Sequence, residues 1–469
     1  MPFPILAGKA IVDTGYNIEN SCRFDDGASD NMRKTFGSGG TTVKWTFSTW
    51  LKRGNISISN PQTFFAGQDD GSTYTNLDIG TAIGAGDQLR WSNSDLTGSL
   101  ITTQLLRDPS AWYHIVFAYD SGQATASNRN KMYINGVRIT AFDTETNANE
   151  DAASYVNANT EFCYIGVYDY DDSGGSQKFD GYLAETILID NQALAPTSFG
   201  EFDDDSPTIW KPIDISGLDV GTQGFYLDYK DSSAMGNDAS GGADFTLNNI
   251  DATNQCTDTP TNNFATMNPL AGNGTYTEGN LIVTGGNNVV STFGVNAGRW
   301  YCECKITLAS GALYPLIGIA DSANPFATSP GASGYPGSHT PSYGIFGNGS
   351  LYANGSNEGD QGFSDFADND IIGMYLDLDS GTKTIKWHVN GTEVATDNIS
   401  APDSSYVFGH YTGGESAVVG AWNFGGCPPF TISSANSDPN GYGSFEYSTS
   451  ESSIDYYALC TKNLAEYGG

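Results

Sequence analysis

Apolar and polar residues alternate along much of the chain with a period of two, the pattern of strands that bury one face. From Thr41 onward, Val43, Trp45, Phe47 and Thr49 fall on one face of a predicted strand, with Lys44, Thr46 and Ser48 opposite. Similar runs recur at Trp112–Tyr119, Lys131–Ile139 and Tyr182–Ile189, each bounded by Gly, Asn, Asp or Ser. Asn135-Gly136, between two apolar runs, predicts a tight hairpin, because both central residues of such a turn must accept positive φ.

A second block starts near Gly298 and contains the strand-like runs Arg299–Ile306, Leu313–Ala320, Ile371–Leu378 and Thr384–Gly391. The two blocks rhyme. In each, a strand with an acidic residue near its end (Asp120, then Asp377 and Asp379) leads through a loop to another strand and an Asn-Gly hairpin, Asn135-Gly136 or Asn390-Gly391. A repeat of this length means two related folds, since solenoid periods run only about 20 to 50 residues. The stretch from Phe202 to Leu270, rich in Asp, Asn, Thr, Ser and Pro, has one clear strand, Phe225–Tyr229. It is too long for a bare linker and is expected to pack on one or both sandwiches. The pattern after Pro428-Pro429 assigns no element.

Composition agrees with an all-β reading and bounds the partners. A chain of 469 residues is long enough for two or three cores, and its 57 Gly, 26 Tyr and 24 Phe suit short strands joined by tight turns. Lys and Arg total 20 against 54 Asp and Glu, a net charge of −34. Phosphate neutralisation supplies most of the affinity for nucleic acid, so no nucleic acid partner is expected, and the same charge opposes adsorption to anionic lipid. No apolar run of about 20 residues exists for membrane insertion. The first residues lack a basic segment and carry too short an apolar run for a secretory signal. The expectation is synthesis in a reducing host cytoplasm and, for work outside a cell, export as part of a particle. The seven cysteines are scattered without a CxxC pair and read as buried free thiols. Cys302 and Cys304 alternate on one predicted strand, where a bond between them would be strained.

Three segments of the first block, Trp112–Val116, Met132–Arg138 and Phe179–Glu185, together resemble the concanavalin-like, laminin-G-type jelly roll. In that family they supply a core strand, a strand with its hairpin, and a returning strand. In the second block Gly298–Glu303, Leu316–Ala320, Asp370–Asp379 and Trp387–Gly391 resemble a SPRY module, also a bent concanavalin-like sandwich, which binds partners through loops at one end. The whole arrangement, including Asp258–Leu270 and Ala458–Leu464, is similar to fibre-like virion proteins of marine tailed phages. These resemblances imply two concanavalin-like jelly-roll sandwiches in tandem. The expected divisions are an N-terminal attachment segment (1–25), a laminin-G-like sandwich (26–201), a connector (202–270), a SPRY-like sandwich (271–427) and a C-terminal segment (428–469).

Candidate chemistry favours gripping over cutting. Concanavalin-like glycosidases resemble one another in carrying both carboxylates on one strand as Glu-x-Asp-x-x-Glu, and no such run occurs here; Glu303 has no second acid beside it. The four histidines lie outside hydrolase and zincin motifs, and His114 and His388, each next to or near Trp on a predicted strand, read as framework. The loop 331–343, rich in Gly and Pro, displays Tyr335, His339 and Tyr343, the candidate ligand-binding residues, although Tyr343 also opens a strand-like run and fits a core position. Acidic loops at Asp169, Asp171 and Asp172, at Asp69 and Asp70, and at Asp203–Asp205 could supply oxygens to calcium, or simply be solvated. No cofactor is required. The resulting expectation is a non-enzymatic virion-surface protein, a homo-oligomer with trimer the commonest form among similar fibres, whose partners are host-surface glycans and other virion proteins. A decoration with no sugar ligand and a polysaccharide depolymerase are the alternatives.

Overall fold

The computed structural model describes the chain except for residues 1–14, 57–59, 70–72, 81–85, 95–97, 169–176, 288, 310–314, 324–333, 413–417 and 469. The described residues form two compact units, one ending at residue 261 and the other beginning at 262. Both are β-sandwiches of antiparallel sheets, and the fold is that of concanavalin-like jelly rolls. Among the described residues no helix is long and apolar enough to cross a membrane.

In the first unit one sheet runs in the order Val137–Arg138, Asn130–Ile134, Trp112–Asp120, Lys44–Arg53, Gly181–Asp190, Ser21–Phe24, Gln255–Cys256. The facing sheet runs Phe142–Thr146, Gly98–Leu105, Gln88–Asn93, Tyr74–Ile79, Gln62–Gln68, Phe162–Ile165, Asn31–Thr35, Thr246–Asn248. Trp45 and Phe47 point inward as their alternation predicts, and Phe47 stacks on Phe65 of the opposite sheet at 4.1 Å between ring centroids. The alternate side chains of the same strand are buried too. Ile187, Ile189, Phe199, Ile215 and Tyr226 form a second apolar layer behind the sheet. The polar groups caught there are satisfied: Thr46 Oγ1 donates to the Gln192 carbonyl at 2.7 Å, and Ser48 Oγ pairs with His114 Nε2 at 2.9 Å. The strand expected near Phe225 forms as Phe225–Leu227 and pairs with Gly181–Asp190.

In the second unit one sheet runs Thr275–Thr277, Ile282–Thr284, Val418–Asn423, Arg299–Leu308, Ile371–Asp377, Lys383–Val389, Thr392–Ile399. The other runs Val289–Val290, Tyr406–Tyr411, Leu316–Asp321, Ser342–Phe346, Ser350–Ala353, Ser356–Asp360. Cys302, Met374 and Trp387 stand in one cross-strand row and are fully buried. On the opposite face of that sheet Tyr301 and Tyr375 are covered by Phe445 and Tyr456 from the C-terminal segment. Glu303 anchors this cover, accepting hydrogen bonds from Tyr301 Oη, Asn423 Nδ2 and the backbone N–H groups of Glu446 and Tyr447.

Both Asn-Gly hairpins form, with φ of 48° and 76° at Asn135-Gly136 and 50° and 79° at Asn390-Gly391. Each glycine lies under an aromatic ring, Trp210 in the first unit and Tyr447 in the second, so a side chain there would meet both strain and a clash. Cys22, Cys163, Cys302, Cys304 and Cys460 are buried free thiols. Cys256 and Cys427 are disulfide-bonded instead, which corrects the reading of all seven as thiols; their spacing in the sequence carries no signal for it.

Candidate functional site

In the second unit's six-stranded sheet, Ile317, Ile319, Tyr343, Ile345, Phe408 and His410 face the core and are at most 2 % exposed. Period two therefore sends Leu316, Gly318, Gly344, Phe346, Tyr352, Gly409 and Tyr411 to the other face. Register arranges these in two rows: Tyr411, Leu316 and Phe346, then Gly409, Gly318, Gly344 and Tyr352. Three glycines in line leave a channel without side chains. The segment around Tyr335-Pro336-Gly337 packs over the Gly344–Tyr352 end of this row, so close that a Cβ on Gly344 would stand 2.5 Å from Pro336 Cβ.

This packing sets Tyr335 beside Tyr411 of the first row and Tyr352 at the end of the second. Its centroid is 5.6 Å from Tyr352, edge to face, and 5.8 Å from Tyr411, while Phe346 lies 6.5 Å from Tyr352. All four rings are half-buried. The loop is held by its own bonds: Tyr335 N–H donates to Ser338 Oγ at 3.0 Å, and Ser338 N–H to the Tyr335 carbonyl at 2.9 Å. His339 is half-buried beside Ser338, with Nδ1 3.2 Å from Ser338 Oγ.

Tyr343 is not part of that surface. It is 2 % exposed, and its hydroxyl accepts from Ser400 N–H at 3.0 Å and Asn354 Nδ2 at 3.1 Å. The strand-like run Tyr343–Phe346 decides its place over the loop that precedes it. Sequence reasoning missed Phe346, Tyr352 and Tyr411. A usable signal was present in Gly344, a single glycine inside the apolar strand run Tyr343–Phe346, which marks close approach of another backbone.

The acidic clusters have different fates. Asp169, Asp171, Asp172 and Asp70 lie outside the described residues. Asp203 accepts from the N–H groups of Asp205 and Ser206 and pairs with Lys211 at 3.3 Å, which makes it a turn cap. Asp25, Asp26 and Asp180 converge, with one carboxylate oxygen of each within 4.8 Å of the others. Burial and the neighbouring Asp25 push the Asp26 carboxyl above its ordinary range, against hydrogen bonds from Asn55 and Gly27. Hard oxygen donors so placed are of the type calcium takes, but Asn55 already donates to Asp26 at 3.4 Å and Asp180 at 3.1 Å.

Two histidines are spent on the framework. Trp210 Nε1–H donates to His114 Nδ1 at 2.9 Å, and Trp422 Nε1–H donates to His410 Nδ1, also at 2.9 Å. Burial brings their pKa values down to about 3 and about 4, so both rings are neutral. Glu303, the isolated acid of the sequence, is enclosed, and burial raises its pKa.

Residues 26–197 match a family model described as the Concanavalin A-like lectin/glucanases superfamily, laminin G type. That segment is a concanavalin-like sandwich. The match covers less than half of the chain, and no curated protein matches it. Among solved structures, the chain is similar to a Bacteroides ovatus protein described as a "putative carbohydrate binding protein", at 20% identity and a TM-score of 0.35, over 50% of this chain and 59% of that one. This chain thus spans under two thirds of that protein. It is also similar to domains LG4-5 of the mouse laminin alpha1 chain, at 12% identity and a TM-score of 0.28, over 97% of this chain and 89% of that one. A human SPRY domain aligns at 21% identity and a TM-score of 0.22, over 30% of this chain and 89% of its own. At such identities and scores none of these likenesses assigns a ligand.

Proposed function

We propose that the protein is a non-enzymatic carbohydrate-binding component of a phage virion, a tail fibre or capsid decoration, that holds host-surface glycans on the Tyr335, Tyr352 and Tyr411 face. The observation that carries the binding role is the ring cluster on a sheet whose glycine row admits the loop. Aromatic rings offer flat apolar faces to sugar C–H groups, and tyrosine adds a hydroxyl for hydrogen bonding, at small conformational cost because the rings are already packed. A site of this kind orients a ligand without supplying the proton transfers that glycoside cleavage needs. The virion assignment rests on the sequence resemblance alone.

Charge narrows the ligand class. Of the few cations, Lys52 and Arg53 are buried against Asp258 and Asp87, at 2.7 and 2.8 Å, so neither offers its charge to a ligand at the surface. Neutral or amino sugars fit such a field, whereas sulfated or uronate-rich chains are repelled. A glycan array probed with the purified chain tests this reading. Selective signals on neutral glycans, with no new reducing ends when host polysaccharide is incubated with the protein, are the expected result. An array without selective signal makes the chain a structural decoration, and new reducing ends make it a depolymerase.

A further inference from the structure

A second cluster lies on the other sheet of the second unit. His388 and Glu393 are register partners across the Asn390-Gly391 hairpin, next to the irregularity between Trp387 and His388. Directly opposed residues of an antiparallel pair project to the same side. Glu451 reaches the pair from the short hairpin of Ser450–Glu451 and Ile454–Asp455. One ligand-capable atom from each of the three lies within 4.8 Å of the others.

The histidine is the unusual member. It is 8% exposed, rests against Tyr375 at 4.5 Å between ring centroids, and its Nε2 is buried without a hydrogen-bond partner. Buried ring nitrogens ordinarily find partners, and the framework imidazole of His114 is met at both, by Ser48 Oγ at Nε2 and by the Trp210 N–H at Nδ1. His388 instead faces two carboxylates.

Lys386 sits in the same place, its Nζ 3.1 Å from Glu393 Oε2 and 2.8 Å from Glu451 Oε2. The ammonium holds the two carboxylates together against their mutual repulsion. It is carried on a flexible stem, with the side chain 20% exposed, and can move to solvent when a stronger cation enters.

We propose that His388, Glu393 and Glu451 form a site for one divalent cation of the zinc class, with Lys386 as its displaceable occupant. One imidazole and two carboxylates suit tetrahedral zinc with a fourth position for water, whereas calcium wants about six to eight oxygens and does not select imidazole. Two carboxylates also balance the ion's charge. Tetrahedral zinc holds its ligand atoms about 3.3 Å apart, so the two glutamates must draw in around the ion, which the short hairpin and the exposed turn allow.

The test is calorimetric titration of the tag-free full-length chain with zinc chloride in millimolar magnesium, which saturates the diffuse acidic surface, with melting temperature as a second readout. One stoichiometric site and a higher melting temperature are expected. Glu393→Gln and His388→Gln should each weaken binding by roughly tenfold or more, and Lys386→Met should tighten it by about tenfold by removing the competing ammonium. Glu393 is exposed, so that variant keeps the fold if replacing His388 disturbs Tyr375. The proposal is overturned by absence of a stoichiometric site in both the wild type and Lys386→Met, by affinity that neither Glu393→Gln nor His388→Gln changes, or by weaker binding in Lys386→Met.

Discussion

Glu185 shows how one residue can make stability depend on pH. It lies in the strand Gly181–Asp190 at a register shift between Ala184 and Ile187, with φ of 48°, and is 3% exposed. Tyr16 and Tyr226 hydroxyls both donate to its Oε1, at 2.6 and 2.7 Å. Burial outweighs those bonds and the pull of Lys230, and with Asp214 raises the pKa to about 7. A carboxyl whose pKa is raised by folding binds its proton more tightly in the native state. Its contribution is complete below the unfolded value near 4.3 and is lost as pH rises through about 7, a change of about 4 kcal/mol. Glu185→Gln should therefore gain melting temperature over the wild type steadily from about pH 4.5 to 7.5; a constant difference across that range would contradict the assignment. His114 acts in the opposite sense. Its lowered pKa makes its contribution present above about 6.5 and lost as pH falls toward about 3.

At the scale of elements, a glycine row and a loop make the candidate site. Replacing Gly344 by Ala puts a methyl 2.5 Å from Pro336 Cβ and 2.9 Å from its carbonyl oxygen, so the loop must rise off the sheet and carry Tyr335 away from Tyr352 and Tyr411. The expected outcome is loss of glycan affinity with a stability cost of about 1–3 kcal/mol, read by titration and melting. Unchanged affinity would separate the loop from binding. Period two and the Asn-Gly pairs made the strands and both hairpins legible in the sequence, because alternation and positive φ are local properties. The loop's ring partners were not legible, since Tyr352 and Tyr411 join Tyr335 only through the register of strands distant in sequence. Tyr343 was ambiguous for the same reason, loop by composition and strand by pattern, and tertiary burial decided it. The residues Ile215 and Tyr226, which help form the apolar layer behind the first sheet of the first unit, lie in a polar-rich stretch whose average composition hides them.

At the scale of the whole molecule, a net charge of −34 and its rare cations disfavour nucleic acid and anionic lipid, and direct attention to uncharged ligands. Both units use paired antiparallel sheets as rigid supports, and in the second the support carries half-buried aromatic rings on the face away from its core. Whether those rings hold a sugar decides the function proposed for the molecule. The direct measurement is the affinity of Tyr335→Ala and Tyr411→Ala for the glycan selected by the array, beside the wild type and with melting temperatures recorded. Each ring removed should weaken binding by about tenfold or more while the fold persists. Wild-type affinity in both folded variants would show that the glycan binds elsewhere and would contradict the account.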